Sequence, residues 1–128
     1  FPATAYEVVI SGCVNRLGLR AIYNKEERNL AIRYMTILGI DDLRNKSFKE
    51  LSGGERQRIN IAIAILRDSK IILCDEPDSS LDEDNIRKIM KILKELALTK
   101  LVIFTSHKQK ALEYADEIIL ILQMKAMN

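Results

Sequence analysis

The spacing of apolar residues along the chain changes character near residue 67. Before that point apolar side chains recur every three or four positions, which is the period of a helix with one buried face. The pattern predicts helices over 5–11, 25–38 and 55–66, with turns between them. The first 66 residues are therefore expected to form one all-helical unit.

From residue 67 onwards, short apolar runs rich in β-branched residues alternate with helical patterns. Such runs are typical of strands buried on both faces of a parallel sheet, whose connections are helices. The predicted β-α-β-α-β order consists of a strand at 70–75, a helix at 83–98, a strand at 101–104, a helix at 108–115 and a strand at 118–122. The chain is thus expected to be an α/β protein, with a helical subdomain at 1–66 and a parallel-sheet part at 67–128.

Composition and charge narrow the possible function classes. Hydrophobic residues make up 48% of the 128 residues and charged residues 30%, a balance typical of a folded globular chain. The formal net charge is only +2, which gives no indication of a nucleic-acid or anionic-membrane partner. The longest wholly apolar run, 61–66, is far too short to cross a membrane, and no signal peptide is recognisable. Any membrane association is therefore expected to go through a partner protein.

The two cysteines, Cys13 and Cys74, match neither a disulfide framework nor a metal-binding spacing. Cys74 lies inside an apolar run, so an inert buried thiol is expected there. This use of cysteine suits a reducing cytosol.

The sequence 51–58, Leu-Ser-Gly-Gly-Glu-Arg-Gln-Arg, opens the third predicted helix. Ser52 and Glu55 stand three residues apart, which is the spacing of a capping box at a helix N-terminus. A second interpretation uses Gly53 and Gly54, which let the backbone approach a ligand while the free N–H groups of the helix end face a phosphate. The octet alone is compatible with both interpretations.

Two adjacent carboxylates, Asp75 and Glu76, follow the first predicted strand. Open α/β sheets place their ligands at the carboxyl ends of strands, so a ligand is expected near this pair. His107 is the only histidine and follows the second predicted strand in a Thr-Ser-His sequence. A lone histidine is more often structural or solvated than functional, so its role depends on its surroundings.

Four stretches resemble motifs of the ATP-binding cassette (ABC) ATPases, in that family's order and at its usual spacings. The sequence 51–58 is similar to the signature motif, and the strand that ends in 75–77 is similar to Walker B. Residues 79–82 are similar to the D-loop, and residues 105–107 are similar to the H-loop. The resemblance implies the C-terminal half of a P-loop NTPase domain, in which a helical signature subdomain precedes part of a RecA-like core. It also implies ATP and Mg²⁺ as cofactors.

The resemblance implies roles for the residues at the predicted sheet edge. Asp75 is expected to hold Mg²⁺, a hard cation that prefers oxygen ligands, and Glu76 to polarise the attacking water as general base. His107 is expected to contact the γ-phosphate of ATP. Asp78 stands where the family usually has threonine or a small residue, and it is expected to add negative charge close to the metal.

The remaining motif residues are expected to act across a subunit interface. By the resemblance, the signature residues contact ATP held by a second ATPase subunit, and Asp82 spans the interface between the two. Asp82 also fits a structural role as the N-cap of the next helix, and both roles are compatible. The signature residues concerned are Ser52, Gly53, Gly54 and Glu55.

The resemblance further implies where the protein works. Two ATPase subunits are expected to form a homodimer-type sandwich and to bind a transmembrane permease subunit. The chain would then be cytoplasmic and peripheral on the inner face of the cell membrane, with no direct membrane insertion and no nucleic-acid partner.

The family's phosphate-binding loop, Gly-x4-Gly-Lys-Ser/Thr, does not occur in this sequence. The chain therefore resembles the second half of a cassette and is expected not to hydrolyse ATP by itself at an enzymatic rate. In the family, the strand before that loop lies between the strands that correspond to 101–104 and 118–122. Without it, 118–122 is expected to pair directly with 101–104 or with a second copy of the chain.

The N-terminal segment is similar to the corresponding segment of zinc and manganese importers. The residues that carry this likeness are Phe1-Pro2, Thr4, 7–10 and 17–19. Iron-chelate and other importers share part of this pattern.

Two alternatives to a transporter ATPase stay open. One is an SMC-type DNA-maintenance ATPase, although no sustained heptad repeat of the kind found in its coiled coils is present. The other is a non-catalytic regulatory half-cassette, which ATP binding by the isolated chain would distinguish.

Overall fold

The computed structural model of the chain describes residues 3–79 and 81–121. Short 3₁₀ turns at Ser11–Arg16, Asp41–Leu43 and Phe48–Glu50 connect the first three helices. The predicted change from helices to alternating strands and helices is confirmed. The regular elements are α1 (Ala5–Ile10), α2 (Lys25–Ile37), α3 (Gly53–Leu66), β1 (Ile71–Cys74), α4 (Glu83–Leu96), β2 (Leu101–Phe104) and α5 (Gln109–Leu112).

Polar side chains fix where the helices begin. Thr4, Asn24 and Ser52 each accept a hydrogen bond from the backbone N–H three residues on, and a glutamate at that position accepts one from the cap's own N–H. This reciprocal arrangement satisfies two backbone donors that a helix N-terminus otherwise leaves free. Asp82 caps α4 through a single bond of 2.8 Å. The capping box predicted for Ser52 and Glu55 is confirmed.

Helices α1, α2 and α3 pack against one another around fully buried side chains. Val9 of α1, Met35 of α2 and Ile59 of α3 each have an exposed fraction of 0%. The same cluster of buried residues continues through Ile72 of β1 into α4. Apolar positions at helical spacing place α4 against this core, and its buried stripe is Ile86, Ile89, Met90 and Leu93.

Gly12 lies where the turn after α1 touches α3. A Cβ at this position would lie 3.0 Å from the carbonyl oxygen of Ile63 and 3.0 Å from the Cβ of Leu66. We expect Gly12→Ala to lower the free energy of unfolding by about 1–3 kcal/mol, because the packed helix has to shift. Urea unfolding measures this change. The control is Gly53→Ala, since no neighbouring atom in the described part of the chain lies within 4 Å of a Cβ there. Equal stability of the two variants would contradict the close approach.

Strands β1 and β2 form a two-stranded parallel sheet within the described residues. The register runs from Ile71 opposite Leu101 to Cys74 opposite Phe104, and α4 lies in the connection between the strands. On one face of β1, Ile72 and Cys74 are buried in the core. Parallel sheets are normally covered on both faces, whereas the second face of this one is open among the residues that the structure describes. The side chains on that face have exposed fractions of 50% to 71% and are Ile71, Leu73, Leu101 and Ile103.

The predicted strand at 118–122 is wrong for residues 118–121, and Leu122 lies outside the described residues. Residues 118–121 belong to no strand, and their side chains have exposed fractions of 61% to 85%. The predicted direct pairing of this segment with β2 is therefore also wrong. A strand is stabilised by hydrogen bonds and side-chain packing against a neighbour, and within the described residues this segment has no such neighbour. Pairing with a second copy of the chain stays a prediction.

The helices of the sheet region are shorter than the apolar pattern predicts. Helix α5 spans four residues, Gln109–Leu112, instead of 108–115. The chain after it is held against α4 by Lys94, whose Nζ donates to the Tyr114 carbonyl oxygen at 3.2 Å and pairs with Asp116 Oδ1 at 2.5 Å.

Across residues 3–79 and 81–121, no helix combines the length and the hydropathy needed to cross a membrane.

Candidate functional site

The carboxyl ends of β1 and β2 meet at one edge of the sheet because the strands are parallel. Asp75 follows β1 and Thr105 follows β2, and the Thr105 hydroxyl donates to Asp75 Oδ1 at 2.6 Å. The same hydroxyl oxygen accepts the backbone N–H of Glu76 at 2.9 Å. One threonine hydroxyl thus contacts both residues of the predicted acidic pair.

The Glu76 carboxylate lies beside the imidazole of His107, with Oε1 2.9 Å from Nε2. The side chain of His107 is 90% exposed and that of Glu76 43% exposed, so both are open to a ligand. The structure therefore brings Asp75, Glu76 and His107 together at the edge where a parallel sheet binds its ligands. A carboxylate and an imidazole at this distance can exchange a proton, as general acid–base chemistry requires.

The backbone of Glu76 adopts a conformation that few residues other than glycine use. Its φ is +48°, in the left-handed region, which a residue with a side chain occupies at a cost in energy. Gln57 of α3 contacts the backbone here, because its Nε2 donates to the carbonyl oxygen of Asp75 at 3.0 Å and also to that of Glu76. Sequence reasoning gives Gln57 no role. The available signal was its place one helical turn after Gly53 and Gly54, on the same side of the helix.

The N-terminus of α3 is exposed, and its capping box satisfies two of its backbone donors. Ser52 Oγ accepts the Glu55 N–H at 3.2 Å, and Glu55 Oε1 accepts the Ser52 N–H at 2.9 Å. The Ser52 N–H donating to the ionised carboxylate holds the pKa of Glu55 below its usual value. Ser52 and Gly53 are both exposed, so a ligand can reach this helix end. Their predicted contact with ATP of a second subunit, together with Gly54, stays a prediction.

Asp78 is buried, with an exposed fraction of 2%. Its Oδ2 accepts the Ser106 hydroxyl at 2.5 Å. Lys108 brings a positive charge to the same loop, because its Nζ donates to the carbonyl oxygens of Asp78 at 3.0 Å and Leu81 at 3.2 Å. The Asp78 carboxylate is therefore enclosed by protein, and Lys108 holds the backbone of the same loop. The expected effect of Asp78 on a bound metal stays a prediction.

Asp82 has the structural role that was one of its two expected functions. Its Oδ1 accepts the Asn85 N–H at 2.8 Å and caps α4, while the residue itself stays exposed. Contact of Asp82 with a second subunit stays a prediction. Ser80, in the same predicted D-loop, lies outside the described residues.

The donor set at the sheet edge suits a magnesium ion better than a zinc ion. The described residues contain no cluster of three or more histidine, cysteine, aspartate or glutamate side chains that could enclose a metal. Mg²⁺ does not need such a cage, since it keeps several waters and is held by one or two carboxylates plus phosphate oxygens. Asp75 and Glu76 supply carboxylates of this kind. Burial raises the pKa of the Cys74 thiol. The thiolate that zinc would need is therefore disfavoured, which agrees with the inert thiol that the sequence predicts.

A family model described as "ABC transporter" matches residues 3–79. This chain belongs to the ABC transporter family. The matched segment contains the signature at 51–58 and the Walker B stretch at 75–77. The family inferred from the four motifs is confirmed.

Curated ABC relatives include ATP-binding proteins of import systems. The chain is 34% identical over 122 residues to the phosphonates import ATP-binding protein PhnC of Treponema denticola, covering 90% of this chain and 48% of the relative. It is 42% identical over 110 residues to PhnC 2 of Oceanobacillus iheyensis, covering 82% and 42%. It is 32% identical over 107 residues to a probable metal transport system ATP-binding protein of Chlamydia pneumoniae, covering 84% and 44%. The chain thus spans less than half the length of these relatives.

Solved ABC structures share the fold of the chain. The dimeric structure of MJ0796, a bacterial ABC transporter cassette, has a TM-score of 0.76 and 29% identity, covering 91% of this chain and 51% of that one. A dimeric post-hydrolysis state of the same cassette, bound to ADP and Pi, matches equally well, with a TM-score of 0.76. The predicted α/β class, as part of an ABC ATPase fold, is confirmed.

These relatives are named for different transported substrates. Proteins named for phosphonate import and a protein named for metal transport both match the chain. Phe1 and Pro2, on which part of the likeness to zinc and manganese importers depends, lie outside the described residues. The printed names of these relatives therefore point to two kinds of cargo, phosphonates and metals.

Proposed function

We propose that this chain is the C-terminal half of the nucleotide-binding domain of an ABC ATPase that drives solute import through a membrane permease. The observation that carries the proposal is the meeting of Asp75, Glu76 and His107 at the carboxyl edge of a parallel sheet. Phosphoryl transfer depends on positioned charges more than on covalent chemistry. This edge supplies two carboxylates and an imidazole that are open to a nucleotide.

Each residue at the sheet edge has a distinct part in the proposed hydrolysis of ATP. Asp75 would hold Mg²⁺, which would supply positive charge beside the phosphate oxygens. Glu76 orients the attacking water and takes up its proton. His107, whose Nε2 lies 2.9 Å from Glu76 Oε1, contacts the γ-phosphate. Thr105 keeps Asp75 and the backbone of Glu76 at a fixed separation.

The signature end of α3 serves a second subunit in this proposal. Ser52, Gly53, Gly54 and Glu55 contact ATP that is bound mainly by the partner, where the exposed N–H groups and the positive end of the helix dipole favour a phosphate. Asp82 keeps its capping bond and also contacts the partner. Two subunits and two ATP molecules then form the sandwich. The dimeric MJ0796 cassette, which resembles this chain, supports this arrangement.

The proposed partners place the chain at the inner face of the cell membrane. Residues 1–66 form the helical subdomain that contacts the permease, and residues 67–128 form the part of the core that binds nucleotide. The chain reaches the membrane only through the permease and binds no nucleic acid. An SMC-type ATPase fits less well, because the relatives named above are import subunits and the net charge is only +2.

Metal-ion import is the proposed transport function, with zinc, manganese or an iron chelate as the cargo. The similarity of the N-terminal segment to zinc and manganese importers supports it, as does the relative named for metal transport. Phosphonate import is the second candidate, because PhnC proteins match the chain over most of its length. Uptake of labelled zinc, manganese and phosphonate by cells with and without the gene separates the two. Loss of phosphonate uptake alone would contradict metal import.

We expect the isolated chain not to hydrolyse ATP at an enzymatic rate. Its sequence has no Gly-x4-Gly-Lys-Ser/Thr loop, whose backbone amides and lysine stabilise the transferred phosphoryl group. The measurement is phosphate release by the chain alone and by the chain supplied with a polypeptide that carries such a loop. Hydrolysis by the chain alone that disappears on Glu76→Gln would reveal a complete site and contradict the half-cassette.

The regulatory alternative is tested by titration calorimetry on the same chain. A half-cassette without the phosphate-binding loop is expected to bind ATP weakly, because the nucleotide lacks its main phosphate contacts. Micromolar affinity of the chain alone for ATP would contradict the expected effect of the missing loop.

A further inference from the structure

Glu76 is the one residue of the acidic pair whose backbone conformation is disfavoured. Its φ of +48° is in the left-handed region, where a non-glycine residue persists only when its surroundings hold it. The chain turns at this point, because the Ser79 N–H donates to the Glu76 carbonyl oxygen at 3.0 Å. The direction of the Glu76 side chain therefore depends on whatever stabilises the turn.

Two side chains from different elements hold the turn. From α3, Gln57 Nε2 donates to the carbonyl oxygens of Asp75 and Glu76. From the end of β2, Thr105 Oγ1 accepts the Glu76 N–H at 2.9 Å. The peptide groups on both sides of Glu76 are thus hydrogen-bonded to the protein, and the carboxylate is left beside His107.

We propose that Gln57 and Thr105 are positioning residues for the general base, and that Gln57 connects it to the signature helix. This inference rests on the proposed function, in which Glu76 acts on the attacking water. Neither residue takes part in proton transfer. The single hydroxyl proton of Thr105 is donated to Asp75 Oδ1, and the amide of Gln57 donates to backbone carbonyl oxygens. Gln57 and Thr105 hold the backbone of Glu76 in its left-handed conformation, and this conformation sets the direction of the Glu76 carboxylate.

The connection from Gln57 has a consequence for the dimer. Gln57 lies one helical turn after Gly53 and Gly54, on the same side of α3. A ligand that contacts the N-terminus of α3 therefore acts on the same rigid helix that holds the Glu76 turn. In the proposed sandwich, binding of the partner's ATP at the signature is thereby linked to the orientation of this subunit's own base.

The test uses an ATP-binding subunit that carries this sequence together with a phosphate-binding loop. Thr105→Val and Gln57→Met remove the polar groups while keeping a similar volume, and Thr105→Ser keeps the hydroxyl. Matched controls are Thr99→Val and Asn60→Met, because both residues are exposed and make no side-chain hydrogen bond among the described residues. Thr105 is exposed and Gln57 partly exposed, so neither substitution opens a cavity in the core.

Two readouts are expected to change together. Thr105→Val and Gln57→Met should each lower kcat roughly tenfold or more, with KM for ATP changed less than about twofold, because the nucleotide contacts stay intact. Hydrogen exchange of the Glu76 amide should become roughly threefold to tenfold faster in Thr105→Val, since its acceptor is lost. Thr105→Ser should keep kcat within about threefold of the parent, and both controls should behave like the parent.

Three results would overturn the proposal. The first is an unchanged kcat in Thr105→Val and Gln57→Met. The second is an equal loss of activity in the controls. The third is a loss in Thr105→Ser as large as in Thr105→Val, which would indicate a structural role only. A failure of the proposed function is distinguishable from all three. In that case Glu76→Gln leaves hydrolysis unchanged, whereas exchange of the Glu76 amide still reports whether Thr105 holds the turn.

Discussion

Replacing Glu76 by glutamine is expected to lower kcat for ATP hydrolysis by about 10²–10⁴-fold in a subunit that also carries a phosphate-binding loop. The amide keeps the volume of the carboxylate and one acceptor oxygen, but it cannot take up a proton from water. Glu76 Oε1 lies 2.9 Å from His107 Nε2 and 43% of its side chain is exposed, so the substitution removes no core packing. The measurement is steady-state phosphate release.

The control for this substitution is Glu95→Gln, a carboxylate-to-amide change at an exposed position of α4. We expect it to leave kcat unchanged. Binding of ATP to the Glu76→Gln variant should also stay within about twofold of the parent, because the general base acts in the transition state and adds little to ground-state binding. Normal hydrolysis by Glu76→Gln would remove Glu76 from its proposed role.

The helices were predictable because each carries its own signals. Ser52 and Glu55 have the capping-box spacing, and the structure shows both of its hydrogen bonds. The stripe of α4 repeats at the helical period and is buried as that period requires. Asp75, Glu76 and His107 could be brought together from sequence as well, since the ends of parallel strands share one edge. Local spacing was sufficient for the helices, whereas the site residues also required the parallel pairing of β1 and β2.

The strand at 118–122 was not predictable in the same way. An apolar, β-branched run indicates that a segment favours burial in a sheet, but a strand forms only where a neighbour accepts and donates its hydrogen bonds. Strands β1 and β2 provide that neighbour for each other. Residues 118–121 have none among the described residues and stay exposed. The open face of the sheet, which includes Leu73, was not predictable for the same reason, because the sequence signal is local.

Long-range polar contacts were also beyond the sequence patterns. Gln57 and Asp75 are separated by 18 positions, and Ser106 and Asp78 by 28, so no local spacing indicates that either pair is in contact. The charge of Asp78 suggested an effect on the metal, whereas burial beside Ser106 ties it to the loop after β2. Such contacts depend on how α3 and the sheet pack, which a one-dimensional pattern does not encode.

Ser52→Arg is expected to prevent ATP-driven dimerisation of the same subunit while each monomer still binds ATP at its own phosphate-binding loop. Ser52 and Gly53 are exposed at the N-terminus of α3, and in the described residues no neighbouring atom lies within 4 Å of a Cβ at Gly53. An arginine here fills the space through which the partner's phosphate approaches the backbone. Forcing such bulk into a close contact costs about 1–3 kcal/mol. A two-fold symmetric dimer contains the contact twice, so the cost is about 2–6 kcal/mol, or a roughly 30-fold or greater loss of dimer affinity.

Gel filtration with ATP and Mg²⁺ measures this effect on a Glu76→Gln background, where hydrolysis does not dissolve the dimer. Ser52→Arg also removes the cap of α3, which by itself costs about 1 kcal/mol of helix stability. Ser52→Ala is therefore the matched control, because it removes the Oγ cap without adding bulk, and it should retain most of the dimer. If Ser52→Arg and Ser52→Ala dimerise as well as the parent, the signature does not face a partner's nucleotide. If both lose the dimer equally, the capping box and not the open approach to Gly53 is what the interface requires.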